Sequence, residues 1–86
     1  MIKKLRAFDT KQAQILVNDL RKSRTDAKTF ADELDKVISS GEISSKIEVQ
    51  LVDWCDIRSI DNRGPSRKIA QKISELLYGK VIDEFD

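Results

Sequence analysis

The sequence predicts an all-α domain, a small bundle of four helices with a helical hairpin in its N-terminal half. Three observations carry that expectation. Three segments of similar length repeat an i, i+3, i+4, i+7 apolar period. Glycine or proline punctuates the ends of two of them. No two segments alternate polar and apolar residues well enough to pair as strands. A fifth helical turn follows if residues 80–86 continue the last helix, and the fold becomes α+β if residues 46–53 form a strand.

The first helix is read from "FDTKQAQILVNDLRK". Asp9 and Gln12 have capping-box spacing, and Phe8 stands where a staple residue belongs. Ala13, Leu16, Val17 and Leu20 form the apolar stripe, opposite Lys11, Gln14, Asn18 and Arg21. Ile15 falls off that stripe. The second helix, "TDAKTFADELDKVISSG", places Ala27, Phe30, Ala31, Leu34, Val37 and Ile38 on one face. Ser23 with Asp26, or Thr25, would cap its start, and Gly41 its end. The short join at residues 22–25 makes the two an antiparallel hairpin.

"SSKIEVQLVDWCDIRSI" reads two ways. "KIEVQL" alternates as a half-buried strand does, and its best partner would be "MIKKLRAF". As a helix, the segment gathers Ile47, Leu51, Trp54 and Cys55 on one face, with Ser45 and Glu48 as its capping box. Helix is favoured, because a lone strand leaves its backbone groups unsatisfied. The last helix is "NRGPSRKIAQKISELLYG", with Pro65 at its first position and Gly79 after its last. Ile69, Ile73, Leu76 and Leu77 supply its apolar face. The expected core is Leu16, Val17, Leu20, Phe30, Leu34, Val37, Leu51, Trp54, Ile69, Ile73 and Leu77.

Composition excludes several classes of function. The chain has 86 residues, enough for one domain with a thin core. Its single cysteine, Cys55, forbids an internal disulfide, and the absence of histidine removes every zinc site built from Cys and His. A reducing, cytoplasmic compartment is the simplest reading. No apolar run approaches the roughly 20 residues that span a bilayer, and no apolar segment follows "MIKKLRAF" to make a signal peptide.

Catalysis is not expected. Without histidine the usual general base is missing, and Cys55 lies between acidic residues that would raise a thiol pKa. Asp32 and Asp35 belong to a solvated helix face. Asp56, Asp61 and Asn62 do not match a calcium-loop spacing. Three glycines do not build a phosphate-cradling loop, so no cofactor is expected.

What remains is charge placement. Sixteen basic residues against fifteen acidic ones give +1, which selects no partner, yet the signs are segregated. Arg63, Arg67, Lys68 and Lys72 form an acid-free run across the start of the last helix, where the dipole also favours an anion. Arg21, Lys22 and Arg24 form a second cluster, and Lys3, Lys4 and Arg6 a third. These seven residues of the first two clusters are the candidate contacts to an RNA or DNA backbone. The structural alternative is an ordinary amphipathic helix with a basic wet face. The functional alternative is a protein-binding adaptor or inhibitor, or a homodimer, using the off-stripe Ile15, Val49 and Ile57. Small size and high charge also fit a phage or mobile-element product.

Overall fold

The computed structural model describes residues 2–56, 58 and 64–80. Helix α1 spans Thr10–Ser23, and the Asp9 carboxylate caps it by accepting the Gln12 N–H at 3.1 Å. Ala13, Leu16, Val17 and Leu20 are buried, as their period requires. A 3-10 turn at Thr25–Ala27 leads into α2, Lys28–Ser40, which buries Phe30, Ala31, Leu34, Val37 and Ile38. The hairpin forms as expected, but its second cap does not. The turn separates both Ser23 and Thr25 from the start of α2, which has no side-chain cap. Ser23 Oγ instead bonds back to the Leu20 carbonyl at 2.7 Å, and Asp26 is held by Arg24.

The all-α expectation needs one correction. Gly41 ends α2 with φ +74°, a conformation that glycine enters at little cost. The chain reverses there into an extended segment. Glu42–Ser44 (β2) pairs antiparallel with Ile2–Lys4 (β1), with Ile2 opposite Ser44, Lys3 opposite Ile43 and Lys4 opposite Glu42. Ile43 is buried, and the gain from covering that side chain, about 2 kcal/mol, helps hold so short a ladder. The first segment of the chain therefore does pair, though with Glu42–Ser44 rather than with the alternating residues 46–51. That stretch is helical: α3 runs Ser45–Cys55 and buries Ile47, Leu51, Trp54 and Cys55. Its cap is Ser44, whose hydroxyl accepts the Ile47 N–H at 3.3 Å, so Glu48 is not the partner of a Ser45 capping box.

Helix α4 spans Pro65–Tyr78 between Gly64 and Gly79. It buries Ile73 and Leu77, but Ile69 and Leu76 are only half-buried, packed at the margin of the core. Ser66, Ala70 and Ser74 take the centre of its inner face, because small residues let α4 approach its neighbours closely. The rest of the expected core is buried, with Ile69 the exception.

Contacts between helix ends fix their directions. Ser23 meets Ser66, and Arg6, just before α1, lies against Gly79 just after α4, so α1 and α4 are antiparallel. Gln71 donates to the Cys55 carbonyl and Tyr78 to Glu48, so α3 also opposes α4. Phe30 at the start of α2 stacks on Trp54 at the end of α3, with centroids 5.7 Å apart and planes 6° from parallel. One end of the bundle therefore gathers the C-termini of α1 and α3 with the N-termini of α2 and α4. The sheet closes the other end. No helix among the described residues is long and apolar enough to cross a membrane.

Candidate nucleic-acid interface

The site is built where α1 ends and α4 begins. Ser66 is 1% exposed, and its Oγ lies 2.7 Å from Ser23 Oγ. Ser23 spends its own hydrogen on the Leu20 carbonyl, which leaves Ser66 as the donor between them. This buried bond sets the cluster at Arg21–Arg24 beside the basic run at the start of α4, although 43 residues separate its partners. The contact lets the two clusters share one surface.

The seven candidates then divide by what their charges touch. Lys68 and Lys72 are exposed, one turn apart on the outer face of α4, and make no ion pair among the described residues. Lys22 is exposed at the end of α1 and likewise has no such partner. Arg67 is half-buried; its Nε is enclosed and makes no hydrogen bond among the described residues. Arg63 lies outside the described residues.

Arg21 and Arg24 are differently placed. Arg21 reaches across the hairpin to Asp32 at 2.9 Å and Asp35 at 2.5 Å, and also donates to Asn18. Its hydrogen bonds to Asp35 first, and to Asp32 second, raise the guanidinium pKa above its ordinary value. Arg24 grips Asp26 through two bonds of 2.9 and 3.1 Å. Both charges are paired with carboxylates of the fold. Asp32 stays on the solvated face, as expected, with its side chain 68% exposed, and Asp35 is half-buried; their pairs with Arg21 join two helices, which the sequence hides.

One further cation belongs to this end. Lys28 is exposed at the first position of α2, which the hairpin brings beside the last turn of α1. The hairpin itself was the available signal. By contrast, Lys3, Lys4 and Arg6 sit at the sheet end, about 20 Å away along the 14 residues of α1. They do not extend this surface.

The remaining candidates carry no chemistry at the site. Trp54 is buried in its stack with Phe30 and offers no face to a base. Tyr78 is half-buried, with its hydroxyl on Glu48. Cys55 is fully buried, as its apolar face implied. Asp56 accepts the Arg58 backbone N–H at 2.8 Å, and that bond lowers its pKa from the ordinary carboxylate value. Asp61, Asn62 and Ile57 lie outside the described residues. Comparisons with protein-family models, curated proteins and solved structures found no match to this chain.

Proposed function

We propose that the protein is a small, non-enzymatic regulator that binds the phosphate backbone of RNA or DNA at the α1–α4 end. The observation that carries this reading is the Ser23–Ser66 bond, which brings Lys22 to the same corner as the start of α4. There Lys22, Lys68 and Lys72 present charges not neutralised by any described carboxylate, and Arg67 flanks them. Backbone N–H groups in the first turn of α4 add a partial positive charge of the same sense. Arg21 and Arg24 play a structural part, holding the hairpin that supports the corner.

The test is a titration of short RNA and DNA at low and moderate salt. Each phosphate neutralised contributes about 0.7–0.9 to the slope of log affinity against log salt. Replacing Lys68 and Lys72 together by alanine should weaken binding to every sequence alike and flatten the slope by roughly one to two units. Both lie off the apolar face, so the fold should persist. If the wild type binds neither polymer at low salt, the surface is a solvated face and the reading is lost.

A protein-partner reading has separate support. Ile15 and Val49 are 49% and 68% exposed, on α1 and α3 respectively. Binding through such apolar residues would change little with salt.

A further inference from the structure

Four exposed lysines at the α1–α4 end make no ion pair among the described residues: Lys22 at the end of α1, Lys28 at the start of α2, and Lys68 and Lys72 on α4. They come from three helices, so the positive surface spreads over the end of the bundle instead of following one track. Carboxylates bound it on the side of the sheet. Asp19 stands one turn behind Lys22 on α1, and Glu75 one turn behind Lys72 on α4. Nearer the end, Asp26 and Asp32 are held by Arg24 and Arg21.

Groups that could stack on an unpaired base are withheld from this surface. Phe30 and Trp54, the aromatic residues at this end, are 4% and 7% exposed and stack on each other. Phe8 and Tyr78 belong to the sheet end, just before α1 and at the close of α4. Phe85 lies outside the described residues, beyond the same end of α4 in the sequence. The segment that joins α3 to α4, residues 56–64, contains no aromatic residue. A guanidinium plane can replace a ring, but Arg21, Arg24 and Arg58 are held on carboxylates, and the Arg67 Nε is enclosed. Single-strand binders take much of their affinity from such stacking platforms. Here the described side chains offer charge alone.

Charge alone favours the ligand with the densest phosphates. A duplex carries one negative charge per about 1.7 Å of its axis, against one per about 3.4 Å for a strand. The bundle extends 30 × 30 × 20 Å. Lysines on different helices can therefore meet phosphates on both sides of a groove about 12 Å wide. We propose, resting on the nucleic-acid reading above, that the lysine corner selects double-stranded over single-stranded nucleic acid, holding the backbones of both strands and stacking no base. DNA and RNA duplexes share that chemistry.

The experiment titrates the full chain with short labelled DNA and RNA duplexes, and with each of their component strands, at several salt concentrations. A duplex should bind at least about tenfold tighter than either strand, with a salt slope of about 0.9 for each lysine engaged. Lys28→Ala, at an exposed position, should lower the duplex slope by about 0.9. Emission from Trp54, the chain's one tryptophan, should hold through the titration, because its ring stays in the stack with Phe30. Tighter binding of the DNA or the RNA duplex identifies the source, and either upholds the proposal. A strand that binds within about tenfold of its duplex overturns it while leaving the nucleic-acid reading in place. So does quenching of Trp54 by a strand, which would reveal a stacked base, or a duplex slope that Lys28→Ala leaves unchanged, since the surface then lacks its third helix. Binding to no polymer at low salt removes both readings.

Discussion

The Tyr78 hydroxyl donates a 2.8 Å hydrogen bond to Glu48 Oε2, and Lys3 Nζ lies 5.5 Å from the centroid of the same ring. Three elements, β1, α3 and α4, meet in that contact. Partial burial is the first cause, and the Glu48 carboxylate the second, that raises the phenol pKa well above its ordinary range. The raised value stabilises the folded state while tyrosine is protonated. That contribution is complete below the unfolded pKa of about 10 and is lost as pH rises through the folded pKa.

The chain has one tyrosine, so phenolate absorbance reports Tyr78 alone. In the native protein it should rise only well above pH 10 or so, together with alkaline unfolding. Tyr78→Phe should cost about 1 kcal/mol at neutral pH and flatten the alkaline loss of stability. Ordinary titration of the phenol in the native state would mean that the bond to Glu48 does not hold in solution.

The Phe30–Trp54 stack should be the costliest single contact to remove. Phe30 is 4% exposed, and truncating a buried phenylalanine to alanine costs about 3–5 kcal/mol. Against a total of roughly 5–15 kcal/mol for a domain, that is a large share of the stability. Phe30→Ala should shift the urea midpoint strongly and change the emission of Trp54, the chain's one tryptophan. Val49→Ala, at an exposed position on α3, should stay within about 0.5 kcal/mol. Equal effects of the two substitutions would remove the stack from the core.

How much of this was legible in the sequence depended on how locally each feature is encoded. Helical faces are local, so Leu16, Leu34 and Leu51 announced their burial through spacing alone. The sheet was not legible, because three-residue strands carry too little alternation and Ile43 stands alone in "GEISS". The caps of α2 and α3 were read slightly out of place, since neighbouring Ser and Thr residues compete for the role. Ser23 offered a cap to α2 and instead bonds toward α1 and α4. The basic corner was half-legible: charge clustering gave its residues, but only the fold pairs Arg21 with Asp32 and Asp35 while leaving Lys22 exposed.

That division between Arg21 and its neighbour makes the sharpest test of the corner. Arg21→Ala leaves Asp32 and Asp35, one turn apart on α2, without the cation that bridges them to α1. The midpoint of unfolding should fall, while the salt dependence of RNA or DNA binding by the remaining folded protein should stay as it was. Lys22→Ala should do the reverse. Stability should hold within about 0.5 kcal/mol, and the salt slope should drop by about 0.7–0.9, one phosphate contact. Measuring both variants in urea and by nucleic-acid titration separates the roles of two adjacent cations. Should Arg21→Ala flatten the slope without loss of stability, its ion pairs do not persist in solution. Should Lys22→Ala leave the slope unchanged, the surface ends at α4 and the Ser23–Ser66 bond serves packing alone.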